Sequence, residues 1–310
     1  SELVLLSEKQ LKIVTWQNNK FVDIYNLRAK VVETFLYVDV ADLNKNGIPE
    51  IYVTSLSQDR LRSFVIEFRE GKYQKIKEDI GLFLHVIDIP GKEPILAAQS
   101  LGYQSFYEGS VFRYEWQGDD LRKTGVIELP REVNIFDFTI ADINGDGIEE
   151  VLAIARNNHI RVFSKNVDWE SSGYFGGAIQ EIKYKTVPDA AIRYETLKEA
   201  TGLIKGRILV TDLDGDGTLE VVTPRKVVKG GFAYTGVGSS SEYELTNLVW
   251  DGQGLVETWK TTERSGDLID FQFVDIDGDG IMEIVVSTAN IGKILNRRED
   301  FLLVYKFWRG

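Results

Sequence analysis

The chain contains no cysteine, so disulfides, thiol nucleophiles and thiolate metal ligands are all excluded. Only two histidines occur, His85 and His159, too few for a zinc set or a histidine-based triad. There is one methionine and there are six prolines. No apolar run is long enough to span a membrane, and no secretory leader is visible in these residues. Basic residues are in deficit: 36 Lys and Arg face 48 Asp and Glu, for a net charge of −12. A surface of that sign repels nucleic acid, and no nucleic-acid partner is expected. The 310 residues, 43% of them apolar, are enough to build a large core.

The acidic excess is patterned. Four nine-residue stretches repeat one another: DLNKNGIPE from Asp42, DINGDGIEE from Asp142, DLDGDGTLE from Asp212 and DIDGDGIME from Asp275. Positions one, three, five and nine carry a carboxylate or Asn, and position six is always Gly. Each stretch runs into a β-type apolar segment: IYVT, VLAIA, VVT and IVVST. Alternating oxygen side chains around a Gly turn suit a hard cation such as Ca²⁺, which takes six to eight oxygens at about 2.3–2.6 Å. An EF-hand is excluded. It needs a bidentate Glu at position twelve, where this chain has Val53, Ala153, Thr223 and Val286, and it needs flanking helices. The alternative is a plain Asx turn whose side chains only bond the backbone; it suits the first loop best, with its two Asn and Lys45.

A loop of this kind between two strands resembles the FG-GAP/VCBS repeat of integrin-type β-propellers and bacterial secreted proteins. The resemblance implies calcium ligation by the side chains of positions one, three, five and nine, with help from the seventh carbonyl. Carried across, the sets are Asp42, Asn44, Asn46, Ile48 and Glu50; Asp142, Asn144, Asp146, Ile148 and Glu150; Asp212, Asp214, Asp216, Thr218 and Glu220; and Asp275, Asp277, Asp279, Ile281 and Glu283. Many members of the family carry Asp at position nine, where this chain has Glu each time. Three to four Ca²⁺ are expected. Loop carboxylates number 2, 3, 4 and 4, so the loops from Asp212 and Asp275 should bind most tightly and the loop from Asp42 most weakly.

A second marker recurs: a strand ending in an aromatic, a polar turn, then another strand. It reads KIVTWQNNKF from Lys12, FVIEFREGKY from Phe64, VFRYEWQGDDL from Val111 and LVWDGQGL from Leu248. A looser copy begins at His159, and LLVYKFWRG at the end breaks off at its turn. Strand a, loop, strand b, strand c, turn and strand d make a propeller blade of roughly 40–50 residues. The fold class expected is all-β: a β-propeller of four-stranded antiparallel blades, six in number. As one domain over 1–310, the blades are near 1–30, 35–80, 83–130, 135–172, 205–262 and 269–310, with an insertion at 173–204. Glu2 reads as the ninth position of a loop, so the first blade lacks strand a and the last lacks strand d. An upstream part of the same polypeptide is expected to supply both; alternatively the blades close imperfectly unaided. Trp16, Trp116 and Trp250 share one slot, and Trp169 and Trp259 another, which points to packing between blades.

The longer connections map to the face opposite the calcium loops and are rich in aromatic and basic residues. Tyr174, Phe175, Arg193, Arg225, Lys226, Phe232, Tyr234, Arg297 and Arg298 are the candidate ligand-binding residues; Tyr103, Phe106 and Tyr107 share their setting. The expected function is a calcium-stabilised, extracytoplasmic binding or assembly module for a protein or glycan partner, an anionic one included, with no insertion into membranes. The rival is a polysaccharide- or lipid-processing enzyme on the same scaffold, though no nucleophile or general base stands out.

Overall fold

A computed structural model describes residues 2–18, 20–102, 105–176, 178–186, 198–227, 242–291 and 298–306. Among them there is no helix, hence none long and apolar enough to cross a membrane. Every named strand pairing is antiparallel. The chain divides into two compact units, one of residues 1–135 with 182–202 and one of residues 136–181 with 203–310.

In the first unit, β1 (Glu2–Ser7), β2 (Gln10–Gln17) and β3 (Lys20–Arg28) form one sheet. The next contains β4 (Glu33–Ala41), β5 (Glu50–Ser57), β7 (Ser63–Arg69) and β8 (Lys72–Ile80), with the short β6 (Arg60–Leu61) on β5. The third contains β9 (Phe83–Ile87), β10 (Ile95–Leu101), β11 (Tyr107–Gln117) and β12 (Asp120–Val126). In the second unit, β13 (Phe138–Ala141), β14 (Glu150–Ile154), β15 (Ile160–Phe163) and β16 (Asp168–Glu170) make a sheet. The expected insertion is a two-stranded sheet of β17 (Ala178–Thr186) and β18 (Lys198–Lys205), whose residues 182–202 belong to the first unit; the second unit continues after it. Then follow β19 (Leu209–Thr211), β20 (Glu220–Val227), β21 (Glu242–Trp250) and β22 (Leu255–Lys260), with β23 (Arg264–Ser265) on β21. Last come β24 (Asp267–Val274), β25 (Glu283–Ile291) and β26 (Arg298–Lys306). These are the blades of a six-bladed β-propeller, three to a unit.

Period-two alternation explains the packing. On β5, Ile51 and Val53 face a cluster with Leu11 and Ile13 of the preceding blade and Phe35 of their own. The residue between them, Tyr52, faces Leu84, Val86 and Leu96 of the next. On β20 the same split puts Val221 with Leu152 and Ile160, and Val222 with Phe271 and Ile284. A b strand is thus covered on both sides, and β5 is buried from Glu50 to Leu56. The outer β8 carries Lys72, Lys75 and Lys77, a charged edge that resists pairing with other chains. The c–d ladders shift register at Ile13/Val14, Val65/Ile66, Arg113/Tyr114 and Asn247/Leu248, two residues ahead of Trp16, Phe68, Trp116 and Trp250. A bulge at a fixed place adds twist at the same point of each blade. The tryptophans serve the blade contacts: Trp116 packs on the cluster around Tyr52, while Trp169 and Trp250 meet edge to face at 6.2 Å.

The first sheet has three strands, corresponding to b, c and d, and the last has three, a, b and c, among the described residues. Glu2 opens β1 opposite Thr15, the register that the ninth loop position takes elsewhere.

Candidate metal centres

Each nine-residue stretch joins an a strand to a b strand and folds in the same way. The first Asp accepts from the backbone N–H of position six at 2.8, 2.9, 3.0 and 3.0 Å through the four loops. The fifth residue accepts from the N–H of position seven at 2.8, 2.8, 2.7 and 2.8 Å. The side chains of Ile48, Ile148 and Ile281 themselves are exposed, so only their main chain serves the loop. The Asx-turn bonds are therefore made in all four loops. Where the acceptor is a carboxylate they use part of it, since its two oxygens offer about four acceptor sites; Asn46 in the first loop has one oxygen to give.

Two positions per loop are left-handed. Position six is Gly47, Gly147, Gly217 and Gly280, with φ of 86°, 84°, 90° and 82°. Position four is Gly145, Gly215 and Gly278 in three loops but Lys45 in the first, at φ 62°. A side chain there is strained. Lys45→Gly should raise stability by about 0.5–1 kcal/mol, read as a higher urea midpoint at unchanged slope. An unchanged or lower midpoint would show that the exposed Lys45–Glu93 pair outweighs the strain.

The ninth Glu is the buried anchor: Glu50, Glu150 and Glu283 are 0% exposed and Glu220 is 6% exposed. One oxygen accepts from the N–H of position two, at 2.9 Å for Leu43, 3.2 Å for Ile143, 2.6 Å for Leu213 and 3.0 Å for Ile276. The longer reach of Glu, compared with Asp, lets one carboxylate hold the loop closed and still turn its other oxygen to the interior. The surroundings of that other oxygen differ from loop to loop. Glu150 Oε1 accepts from Asn144 at 3.1 Å. Glu50 Oε1 and Glu283 Oε1 are buried with no hydrogen-bond partner, the second standing 3.3 Å from the Lys306 ammonium. Asp212, Asp214 and Glu220 bring their oxygens within 4.8 Å of one another, as do Asp275, Asp277 and Asp279. That spacing fits a hard cation with ligands at about 2.3–2.6 Å, and the donors are all oxygen. Burial pushes the Glu220 carboxyl up, with Asp214, Asp212 and Asp216 adding to it against the Leu213 N–H. Glu50 is pushed up to about 7, chiefly by burial, against the Tyr52 hydroxyl and two backbone N–H groups.

Residues that the motif does not contain complete these sites. Tyr52 donates to Glu50 at 2.7 Å and accepts from Trp116 at 2.7 Å, tying the first loop to the next blade. Glu67, on β7, accepts from the amides of Asn44 and Asn46 at 2.6 and 2.9 Å and pairs with Arg69. Burial would raise Glu67, but Arg69, Asn44 and Asn46 hold it below the usual carboxylate range. Lys306, on β26, stands 2.6 Å from Asp277, 3.3 Å from Glu283 and 3.7 Å from Asp279. Spacing singles out neither Glu67 nor Lys306; each emerges once the c strands are aligned on their aromatic slot.

The candidate ligand face fares differently. Arg193, Phe232, Tyr234 and Arg297 lie outside the described residues. Arg298 pairs through its backbone with Ile291. Tyr174 is 57% exposed and meets His159 edge to face at 4.7 Å, and Lys226 is exposed. Phe175 and Arg225 are corrections. Phe175 is buried in the cluster with Ile154 and Leu152, because its N–H bonds Asn158 and the next N–H, of Gly176, bonds Pro224. Arg225 lies within β20, which runs on to Val227, and not in a free loop. Its guanidinium bonds the buried Glu244 at 2.6 Å, stands 3.2 Å from Glu257 and covers the Phe175 ring at 5.6 Å. Arg225→Ala would leave Glu244 with Lys260 as its remaining cation. It should cost roughly 2 kcal/mol, read by urea unfolding, and Glu244→Gln added to it should recover part of the loss. A neutral Arg225→Ala would return that side chain to the surface set.

No family model matches the sequence, and no curated protein is similar to it. Among solved structures, one chain of the complex of the fission yeast SREBP-SCAP binding domains matches with 9% identity and a TM-score of 0.32. The match covers 100% of this chain and 76% of that one, and a likeness at that level carries no argument.

Proposed function

We propose that this chain is a calcium-stabilised β-propeller of the FG-GAP/VCBS kind that serves as an extracytoplasmic binding or assembly module. The observation that supports the calcium reading is the common loop geometry: oxygen donors only, and a buried ninth Glu that keeps one oxygen toward the loop interior. Calcium outside the cytoplasm reaches the millimolar concentrations that fill loops of modest affinity. Asp42, Asn44, Asn46 and Glu50 would hold one ion, with corresponding sets from Asp142 and Asp212; the set from Asp275 offers the same donors but has the Lys306 ammonium among them. The ion supplies charge neutralisation that the loops need at folding, and nothing catalytic is assigned to it.

The partner is a protein or a glycan, met on the side of the connections that carry Tyr174 and Lys226. Lys226 sits six residues along β20 from Glu220, about 20 Å by strand rise, so a partner there stays clear of the Asp212 loop. The test is retention on immobilised heparin and polygalacturonate, with calcium present throughout. The wild-type chain should be retained, and Tyr174→Ala with Lys226→Glu should weaken retention at least fivefold while calcium stoichiometry stays the same. A wild-type chain that runs through both columns would remove the anionic glycan from the reading.

A further inference from the structure

Across the strand from every ninth Glu stands one residue of the c strand, and it differs in kind from blade to blade. The register puts Val249 opposite Glu220 and Lys306 opposite Glu283. Extending the ladders by one residue from Ile51↔Ile66 and Val151↔Phe163 puts Glu67 opposite Glu50 and Ser164 opposite Glu150. These residues flank the loops from the c strand, Glu67 buried and Lys306 48% exposed, and their charges are −1, 0, 0 and +1 from the first loop to the last.

In the first loop this residue is a second buried carboxylate. Glu67 and Glu50 are both 0% exposed. Glu50 Oε1 faces the interior without a hydrogen-bond partner, a costly state for a buried oxygen unless a cation supplies the missing contact. Asp42, Glu50 and Glu67 set three carboxylates against the single Arg69, which leaves the charge of one divalent ion to be matched. Glu67 supplies one of the two charges that the two Asn lack.

In the last loop the flanking residue is a cation. The Lys306 ammonium is bracketed by Asp277 and Glu283 with Asp279 beyond. A calcium ion bonded to those oxygens would stand within a few ångströms of a like charge, so one must leave. Lys306 is tethered by its own strand and its effective concentration is fixed, whereas calcium must be drawn from solution.

We infer that the residue facing the ninth Glu decides how each loop is neutralised: Glu67 completes the Asp42 loop as a calcium site, and Lys306 neutralises the Asp275 loop in place of calcium. The loading order is thereby the reverse of the loops' own carboxylate counts at the two ends of the chain. The inference rests on the calcium reading above.

The test counts ions. Equilibrium dialysis with radioactive calcium at 0.1 M salt, on the full chain, should find three ions in the wild type, four in Lys306→Met and two in Glu67→Gln, taking ~1 mM free calcium as the working level for such sites. Methionine keeps the alkyl stem and removes the charge; Lys306→Gln serves as the second variant should Met fold poorly. The unfolding temperature gives a separate readout. Lys306→Met should be less stable than wild type in chelator and should gain more from calcium than wild type does. Four ions in the wild type, unchanged in affinity by Lys306→Met and Lys306→Gln, would overturn the role of Lys306 while leaving the calcium reading in place. An unchanged count in Glu67→Gln would overturn the role of Glu67. No ion in the wild type or in any variant, with Asp212→Asn also without effect, would sink the calcium reading and this inference together.

Discussion

Chelating calcium should lower the unfolding temperature of this chain by roughly 5–10 °C for each loop that empties. An ion present at a hundred times its dissociation constant adds about 2.7 kcal/mol to the folded state, because the unfolded chain does not gather the ligands. At the size of either compact unit, one kcal/mol moves the midpoint by about 2–4 °C. Calorimetry with and without EGTA reads the difference. The local version uses Asp212→Asn. Asp212 accepts from the N–H of Gly215 through one carboxylate oxygen at 2.8 Å and from that of Gly217 through the other at 3.0 Å, so Asn, with one oxygen, keeps one of the two bonds. The substitution therefore removes a ligand charge together with one bond of the turn. It should erase about one loop's share of the calcium-dependent shift, and lower the midpoint in EGTA only by the smaller amount of one hydrogen bond, about 0.5–1.5 kcal/mol. A wild-type midpoint indifferent to EGTA would mean that the loops are Asx turns and no more.

Much of this was legible in the residues. The loop stretches, the a strands before them and the c–d hairpins after them fall where the repeat puts them, because each is set by local chemistry: Gly at a left-handed turn, alternation along a strand, a polar turn after an aromatic. What spacing does not contain is register. Glu67 lies seventeen residues beyond Glu50 and Lys306 twenty-three beyond Glu283, and only pairing brings them opposite. A charge count over the nine residues of a loop therefore omits a flanking residue that can change the sum by one in either direction. The Glu at position nine is a second case. In sequence it is a departure from Asp, while in the fold its length lets it bond the N–H of position two and still reach inward. The rim residues misled for a related reason. A connection counted from the loop-flanking strand to the next aromatic takes in the far ends of β20 and β21, where Arg225 meets Glu244 across the ladder. A basic residue next to a glycine-rich segment looks solvated until its partner is known.

Phe106 is the sharpest instance. It belongs by sequence to the aromatic rim, and Phe106→Ala should nonetheless cost about 3–5 kcal/mol, the loss expected for a buried aromatic ring. The ring is 6% exposed. It packs against Phe83 at 5.0 Å, Tyr107 at 4.8 Å and Tyr184 at 5.2 Å, centroid to centroid. Gly202 of β18 lies flat on it, so close that a Cβ there would stand 2.2 Å from the ring. Tyr184 and Gly202 come from the two strands of the inserted hairpin, so one ring holds both of them to the third blade within the first unit. Removing the ring opens a cavity that the hairpin backbone cannot collapse into without breaking its own ladder. Phe106→Leu should cost less, since part of the volume remains. Gly202→Ala should destabilise by about 1–3 kcal/mol from the other side of the contact, and adding Phe106→Leu to it should relieve part of the clash, a coupling that a double-mutant cycle in urea reads directly. Calcium stoichiometry should be the same in all of these variants, since no loop ligand touches the cluster. If Phe106→Ala unfolds at the wild-type midpoint, the ring is free of the core after all and returns to the set of residues available to a partner.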